Sequence, residues 1–336
     1  MEKLLGMNPP RPQVKGLGIL LAISIAMVGL LHSQRANAEN RADISPGVHQ
    51  VVVNDVRLWY RVAGRTSGTP LVYLHGGPGQ GSQSFSTIAG PALERSLRMI
   101  YLDQRGAGRS ERPWNDAYSV SLLVEDIEAL RRRLGVNRLN LIGHSFGTII
   151  AMEYGARYPK HVERMVLAAS GPDLPDAFNR MCDRVARTDP AAYARAVAAV
   201  EPGSQRRCNM WGDGVFKAGG MQRFVNGNMF PKSETEALIN QADRANGLRN
   251  RGDLSNALIR QGVLDYRFTQ ASALRMPVLV IAGERDLQAG IEPQREFVAK
   301  VPSARMLAYD QGGHFMWAEE PERFARDVIS FLTSPR

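Results

Sequence analysis

The stretch Leu139-Asn140-Leu141-Ile142-Gly143-His144-Ser145-Phe146-Gly147 decides the fold of this 336-residue chain. A short apolar run ends in the pattern G-x-S-x-G, and a helical pattern follows directly from Thr148. In this context the pattern predicts a tight turn from a buried strand into a helix, with the serine at its tip. The residues two positions before and after the serine must lack a side chain in such a turn, and both are glycine. Ser145 is therefore predicted to be a nucleophile exposed at the carboxyl edge of a sheet.

Short apolar runs alternate with amphipathic patterns along most of the chain. Strands are predicted at residues 48–53, 57–62, 70–74, 99–102, 139–142, 165–168, 278–281 and 305–309. The first two strands form a hairpin in this prediction, with Asn54-Asp55 as its turn. Helices are predicted at residues 120–134, 146–158, 292–301 and 321–332. The alternation predicts an α/β fold, in which helices cover both faces of a mostly parallel sheet.

One long stretch interrupts this alternation. Residues 172–273 contain no strand-like apolar run, and their helical patterns include an Ala-rich segment at residues 191–200 and glycine-rich joints at residues 212–220. A stretch of this length between two core strands predicts a helical cap inserted into the α/β domain. The predicted organisation is therefore a core formed by residues 39–171 and 274–336, with the cap at residues 172–273 between the two parts.

The first 38 residues have the pattern of a secretory signal peptide. Lys3, Arg11 and Lys15 precede an uncharged apolar run at residues 16–31, and the small-x-small sequence Ala36-Asn37-Ala38 follows it. The run is shorter than the ~20 apolar residues that a transmembrane helix needs. We therefore predict cleavage after Ala38 and a periplasmic or secreted protein. The alternative is a retained N-terminal helix that anchors the protein to a membrane.

The predicted compartment has a consequence for the two cysteines of the chain. They are too few for a scaffold built from disulfides, and no C-x-x-C pair indicates a zinc site. In an oxidising compartment Cys182 and Cys208 are expected to form a disulfide. Two free buried cysteines are the alternative.

The charge balance does not indicate binding to nucleic acid. The net charge is +9, and removal of the predicted signal, with four basic residues and one acidic residue, leaves about +6. The remaining basic residues are spread along the chain, and the only tight cluster, at residues 131–133, is predicted to be the solvated end of an amphipathic helix. A nucleic-acid-binding protein would need a basic stripe with aromatic residues or a known recognition module, and the sequence has neither.

A serine hydroxyl needs a general base, and the base needs a carboxylate that orients it. His314 is predicted as the base because it follows the last strand in the loop Gln311-Gly312-Gly313-His314-Phe315. Asp286 follows the strand at residues 278–281 and precedes His314 by 28 positions, so it is predicted as the carboxylate. Glu284 and Asp310 are the alternatives. The order Ser145, Asp286, His314 is the chain order of α/β-hydrolases. The other histidines of the predicted mature chain are interpreted as structural, shaping or surface groups: His49, His75, His144 and His161.

A glycine-rich loop is predicted to bind the developing oxyanion. The strand at residues 70–74 opens into His75-Gly76-Gly77-Pro78-Gly79-Gln80-Gly81. Pro78 has no N–H, so the backbone N–H groups of Gly77 and Phe146 are predicted to form the oxyanion hole. A phosphate site is disfavoured because neither Gly-Lys-Ser/Thr nor G-x-G-x-x-G occurs there.

The chain resembles α/β-hydrolases of the prolyl aminopeptidase (proline iminopeptidase) group. The resemblance rests on His75-Gly76-Gly77-Pro78-Gly79, on Asp103-Gln104-Arg105-Gly106-Ala107-Gly108-Arg109-Ser110, on the turn around Ser145 and on Gly312-Gly313-His314. It implies an α/β-hydrolase fold with a helical cap over the active site, and neither a metal nor a cofactor.

Together, the residues and the resemblance predict a serine hydrolase that acts through an acyl-enzyme. The resemblance implies a peptidase that releases N-terminal residues from short peptides, with a carboxylesterase or lactonase acting on small acyl compounds as the alternative. A non-catalytic ligand-binding protein on the same scaffold is a further alternative. An aminopeptidase needs a carboxylate for the substrate's ammonium group, and the cap offers four candidates: Glu201, Asp213, Glu234 and Glu236.

Overall fold

A computed structural model describes residues 42–209, 227–245 and 252–335 of the chain. These ranges contain the following strands: β1 Gly47–Val53, β2 Val56–Gly64, β3 Leu71–Leu74, β4 Arg98–Asp103, β5 Leu139–His144, β6 Val162–Ala168, β7 Val278–Gly283 and β8 Ala304–Tyr309. They form one sheet in the order β1-β2-β4-β3-β5-β6-β7-β8. The pairs β1–β2 and β2–β4 are antiparallel, and every other neighbouring pair is parallel.

Local sequence explains the hairpin at the edge of the sheet. Asn54 and Asp55 join β1 to β2 with φ values of 45° and 61°. Two consecutive positive φ angles define the type I′ turn, whose twist matches that of the flanking strands, and Asn and Asp tolerate this conformation better than most residues. The predicted hairpin is therefore present, with its turn at the predicted residues.

Helices of the described residues cover the sheet and fill the connections between strands. Their bounds are α1 Gln83–Ile88, α2 Gly90–Glu94, α3 Val120–Arg133, α4 Phe146–Arg157, α5 Leu174–Thr188, α6 Pro190–Ala198, α7 Ser233–Arg244, α8 Asp253–Arg260, α9 Glu292–Lys300, α10 Met316–Glu319 and α11 Pro321–Thr333. Short 3₁₀ turns occur at Pro159–His161, Val263–Asp265 and Ala271–Ala273.

Alternate residues of the central strands pack into two separate apolar clusters. In β3, Val72 and Leu74 belong to one cluster, whereas Leu71 and Tyr73 belong to the other. Because successive side chains of a strand point to opposite faces, the two clusters lie on the two sides of the sheet. The predicted fold class, a mostly parallel sheet flanked by helices, is confirmed.

A buried acidic residue connects the end of β4 to two loops. Asp103 accepts hydrogen bonds from the N–H and hydroxyl of Ser82, at 2.8 and 2.7 Å, and from the Arg109 side chain at 2.7 Å. The side chain of Asp103 is inaccessible to solvent, so these donors, rather than water, stabilise its negative charge. They join the glycine-rich loop after β3 to the loop after β4, which fixes the neighbourhood of the site.

The basic cluster at residues 131–133 differs from its prediction. Arg131 and Arg132 both donate to the buried carboxylate of Glu128, at 2.8 Å each. Arg131 is largely buried, with 12% of its side chain exposed, and only Arg132 of this pair is mostly solvated. The end of α3 is thus a paired, partly buried group of charges, because Glu128 one turn earlier needs cationic partners.

The described residues between β6 and β7 contain helices α5 to α8 and no strand of the sheet. Part of this segment has its own small apolar cluster, formed by α5, α6 and the turn that follows. A disulfide joins Cys182 of α5 to Cys208 at the end of that turn. We call residues 172–273 the inserted segment; the predicted glycine-rich joints at residues 212–220 and the candidate Asp213 lie outside the described residues.

The predicted signal peptide, residues 1–38, also lies outside the described residues. Among residues 42–209, 227–245 and 252–335, no helix combines the length and the apolar character that crossing a membrane requires.

The parallel strands β3, β5, β7 and β8 end at residues 74, 144, 283 and 309, and the loops after them meet at one edge of the sheet.

Candidate active site

Ser145 occupies the turn between β5 and α4. Its backbone has φ 52° and ψ −119°, with a positive φ that residues other than glycine rarely adopt. The turn is tightly closed: a Cβ atom on Gly143 would lie 2.6 Å from the carbonyl oxygen of Gly147, and one on Gly147 would collide with the carbonyl oxygen of Leu74. These contacts are the physical reason for both glycines of the motif.

Ser145, His314 and Asp286 form a continuous series of hydrogen bonds. The Oγ atom of Ser145 lies 2.9 Å from Nε2 of His314, and Nδ1 of His314 lies 2.9 Å from Oδ2 of Asp286. Because an ionised carboxylate only accepts, Nδ1 donates to Asp286 and Nε2 is left to accept the serine proton. The structure therefore brings together the three side chains that the sequence predicts as nucleophile, base and carboxylate.

The backbone that follows Asp286 fixes its carboxylate. Oδ1 accepts the N–H groups of Gln288 and Ala289, at 2.9 and 3.0 Å, while Oδ2 faces His314. The Asp286 side chain is inaccessible to solvent, so these bonds set its orientation. A carboxylate bound in this way keeps the imidazole of His314 in one tautomer.

The two alternative carboxylates lie elsewhere. Glu284 is exposed, and its closest cation is Arg295 at 4.0 Å. Asp310 has 70% of its side chain exposed and lies 3.7 Å from Arg323. Both are surface residues of the loops that carry Asp286 and His314, which explains why chain position alone did not separate them.

The predicted oxyanion donors border the same space as Ser145. Gly77 and Phe146 both line a cavity that also contains Ser145 and His314. Neither residue uses its backbone N–H in a hydrogen bond between described residues. These two N–H groups are therefore free to bind an oxyanion formed on a carbonyl carbon that Ser145 attacks.

The remaining histidines have other partners. Nε2 of buried His75 accepts the N–H of Gln104 at 3.1 Å, and burial lowers the pKa of this imidazole. His161 lies 3.1 Å from Glu128, and His49 contacts the carbonyl oxygen of Ser45 at 2.8 Å. His144 is different, because its ring lies beside His314 and lines a cavity at Ser145.

Two cavities meet at Ser145. The first, of about 280 Å³, has a polar side formed by Gln80, His144 and Asp243. The second, of about 160 Å³, is lined mainly by apolar side chains, several of them from α4, α5 and the segment 255–264: Phe146, Ile149, Leu174, Phe178, Ile259, Val263 and Leu264. Gly77, Met229 and His314 border both cavities. A substrate bound at Ser145 thus has a polar space on one side and an apolar space on the other.

Asp243 of α7 is a site residue that the sequence analysis missed. Its Oδ1 accepts the backbone N–H of Ser84 at 3.0 Å, and no cation among the described residues forms an ion pair with it. Burial raises the pKa of Asp243 above its ordinary value, and hydrogen bonds from Ser84 and Gln80 offset part of that rise. The polar cavity therefore contains a carboxylate that is partly desolvated and lacks a described cationic partner.

Of the four carboxylates expected to meet an ammonium group, the three that the structure describes do not supply this wall. Glu201 pairs with Arg206 at 2.9 Å, and Glu234 is exposed in the first turn of α7. Neither these two nor Glu236 lines either cavity, and Asp213 lies outside the described residues. Asp243 lies on the same helix as Glu234 and Glu236, two turns later, where the helix approaches the loop after β3.

Among the described residues, no group of three His, Cys, Asp or Glu side chains has the arrangement of metal ligands. The side chains and backbone N–H groups around Ser145 are those described above. Their arrangement supports proton transfer from Ser145 to a His314 that Asp286 orients, together with stabilisation of an oxyanion.

Comparison with known proteins agrees with this description. Residues 69–321 match the model of a family described as alpha/beta hydrolase fold. The chain is 25% identical over 288 residues to a proline iminopeptidase from Heyndrickxia coagulans, and the match covers 80% of this chain and 91% of that protein.

Solved structures show the same similarity. A proline iminopeptidase-related protein from Thermus thermophilus superposes with a TM-score of 0.68 and 26% identity, covering 87% of this chain and 97% of that one. An esterase from Rhodococcus sp. superposes with a TM-score of 0.64 at 23% identity, covering 86% of this chain and 99% of that one. The likeness to the esterase extends to the fold alone. The predicted resemblance to prolyl aminopeptidases is confirmed.

Proposed function

Since this chain belongs to the α/β-hydrolase fold family and is a hydrolase, we propose that it uses Ser145, His314 and Asp286 as a catalytic triad. Ser145 Oγ attacks the carbonyl carbon of the substrate while its proton moves to Nε2 of His314. The electron pair of the carbonyl bond moves to oxygen, and the N–H groups of Gly77 and Phe146 bind that oxyanion. Asp286 stabilises the imidazolium without taking its proton.

The tetrahedral intermediate then collapses to an acyl-enzyme. The carbonyl re-forms, the bond to the leaving group breaks, and that group takes the proton from Nε2 of His314. Water next gives a proton to His314 and attacks the acyl-enzyme ester, and Ser145 leaves with the returned proton. The 2.9 Å distance between Ser145 Oγ and His314 Nε2 supports the movement of the serine proton to the base and its return, and the 2.9 Å bond to Asp286 keeps Nδ1 protonated throughout.

For the substrate we propose a short peptide or amide with a free N-terminal residue, as in prolyl aminopeptidases. The observation that carries this proposal is Asp243, a partly buried carboxylate in the cavity that contains Ser145. The ammonium group of an N-terminal residue is attached to the carbon next to the scissile carbonyl. A cation buried there is costly unless a carboxylate meets it.

A carboxylesterase or lactonase is the second candidate. The apolar cavity of about 160 Å³ favours it, because an uncharged acyl or alkoxy group would fill this space without any charged partner. In that case Asp243 would be a structural residue that binds the N–H of Ser84 and takes no part in binding substrate.

Rates on purified protein without residues 1–38 distinguish the two candidates. We expect Pro-, Ala- or Leu-p-nitroanilide to be cleaved with a kcat/KM at least tenfold above that of the matched N-acetyl compound. A p-nitrophenyl ester panel provides the comparison, and titration with a fluorophosphonate probe counts the reactive serines. Activity restricted to uncharged esters would replace the aminopeptidase by the esterase.

We also propose that the protein is exported and cleaved after Ala38. The sequence pattern of residues 1–38 supports export, and the disulfide between Cys182 and Cys208 is compatible with an oxidising compartment. The mass of the protein from a periplasmic fraction tests this. A chain that begins at Glu39 is expected, whereas an intact N-terminus in the membrane fraction would indicate the anchored alternative.

A further inference from the structure

His144 makes a contact that none of the steps above uses. It is the last residue of β5 and immediately precedes Ser145 in the turn. Its Nε2 atom lies 2.8 Å from the backbone carbonyl oxygen of His314, which is 170 residues further along the chain. A carbonyl oxygen only accepts, so Nε2 must carry the proton of the ring.

The protonation of His144 excludes one role for it. The ring is buried, with 1% exposed, and its Nδ1 atom has no hydrogen-bond partner among the described residues. Burial, together with the neighbouring His314, lowers the pKa of His144 to about 3. The imidazole is therefore neutral at ordinary pH, and its only protonated nitrogen faces a carbonyl group. A ring with so low a pKa is a weak base toward the Ser145 proton, which argues against a role as a second general base.

The backbone of His314 is bound on both sides. Its N–H donates to the carbonyl oxygen of Met229 in the inserted segment, at 2.9 Å. Its carbonyl accepts from His144, and its side chain bridges Asp286 and Ser145. The bond from His144 is the one that connects the backbone of His314 to the turn that carries the nucleophile.

We propose that His144 is a positioning residue, whose Nε2–H bond to the carbonyl of His314 fixes the backbone of the base at the distance that Ser145 requires. The proposal rests on the proposed roles of Ser145 and His314. His314 follows Gly312-Gly313, a pair without side chains that could anchor the loop by packing. A displacement of about 1 Å at a reacting group can lower a rate about 100-fold.

Packing of the ring is the competing explanation. The His144 ring lies 4.9 Å from the ring of Phe315 and 5.7 Å from that of Trp317, in a perpendicular arrangement with the latter. If these ring contacts determined the reactivity of Ser145, phenylalanine at position 144 would preserve that reactivity and glutamine would not. If the hydrogen bond is what matters, the order reverses, because the amide nitrogen of glutamine lies near the position of Nε2 whereas phenylalanine has no donor.

The variants His144→Gln and His144→Phe therefore form a crossed pair. The readout is the second-order rate constant for labelling by a fluorophosphonate, which reports the reactivity of Ser145 without a chosen substrate. We expect H144Q to label within about threefold of the unmodified protein and H144F to label about 10- to 100-fold more slowly. With a cleaved substrate, the loss in H144F should lie in kcat, with KM within about threefold.

The contrary outcomes are equally specific. Labelling of H144F at the unmodified rate would overturn the proposal, and so would an equal loss in both variants when their melting temperatures match that of the unmodified protein. Absence of labelling in the unmodified protein itself would contradict the proposed function instead, and Ser145→Ala provides the baseline for that case.

A measurement on the unmodified protein covers the case in which a variant fails to fold. The ¹⁵N chemical shifts of the His144 ring distinguish a proton on Nε2 from a proton on Nδ1. We expect the Nε2–H form, unchanged between pH 5 and pH 9. A proton on Nδ1, or a charged ring at pH 6, would contradict the bond on which the proposal depends.

Discussion

The core sheet and the inserted segment contribute different parts of the space around Ser145. The core provides the proposed triad side chains and oxyanion donors from the ends of β3, β5, β7 and β8. The inserted segment provides Asp243, Met229 and much of the apolar wall, including Leu174 and Phe178. The proposed catalytic groups are thus separated in the chain from most of the residues that line the rest of this space.

The two regions also differ in how their residues are fixed. Ser145 and Asp286 belong to tight turns that follow buried strands, and backbone N–H groups fix the Asp286 carboxylate. Asp243 lies on an amphipathic helix, and one of its hydrogen bonds comes from the backbone of Ser84, across 159 residues. In the proposed function, the chemistry therefore depends on turns at the edge of the sheet, whereas the choice of substrate depends on how the inserted helices dock against it.

Removing the nucleophile should have the largest effect and should be confined to the core. Ser145→Ala is expected to lower kcat by about 10⁵-fold or more, because triad residues act as a unit. The melting temperature should change by only a few degrees, since the side chain makes one described hydrogen bond, to His314. More than a few per cent of residual turnover would contradict the role given to Ser145.

The orienting carboxylate provides a second test of the core, with a matched control two residues away. Asp286→Asn should lower kcat about 10⁴-fold, because the amide favours the wrong tautomer of His314. Glu284→Gln changes an exposed residue of the same loop and should leave kcat within about twofold. Similar losses in both variants, measured on one substrate, would show that the loop rather than the carboxylate is responsible.

A change in the inserted segment should affect only some substrates. Asp243→Asn is expected to lower kcat/KM for Pro-p-nitroanilide about 10- to 100-fold, because the substrate's ammonium group would lose its charged partner in a partly desolvated cavity. The rate on p-nitrophenyl butyrate should stay within about twofold. Glu234→Gln, an exposed change on the same helix, serves as control, and equal losses of D243N on both substrates would remove Asp243 from recognition.

The disulfide should matter least for the chemistry at Ser145. Replacing Cys182 and Cys208 by serine opens a loop with a sequence separation of 26. The free energy of unfolding is expected to fall by about 3 kcal/mol, measured by urea denaturation. The fluorophosphonate labelling rate of the folded variant should remain within about threefold, because the triad lies on the sheet. A large loss of labelling would mean that the two regions are more tightly coupled than described.

Prediction from sequence succeeded where the signal is local. The glycines at 143 and 147 flank the serine within five residues, and apolar runs mark the central strands, so the fold class follows from short patterns. Helices α1 and α2 were not predicted. They have six and five residues, which is too short for a periodic apolar pattern to develop.

The sequence analysis did not single out Asp243, the carboxylate that we propose contacts the substrate, and the reason is physical. Asp243 is one of several polar residues on an amphipathic helix, and only the distant segment containing Gln80 and Ser84 distinguishes it. Glu201 was a plausible candidate by position, yet Arg206 lies five residues away and pairs with it locally. Contacts between segments far apart in the chain leave no periodic signal, so they emerge only from the folded structure.

The measurement that tests the central claim most directly compares Pro-p-nitroanilide with its N-acetyl form on the unmodified enzyme. If the core hydrolyses and Asp243 of the inserted segment recognises a free N-terminus, acetylation should lower kcat/KM at least tenfold, because it removes the ammonium group and leaves the partly buried carboxylate without a cationic partner. Equal or higher rates on the acetylated compound would contradict recognition of the ammonium group and leave an esterase-like hydrolase.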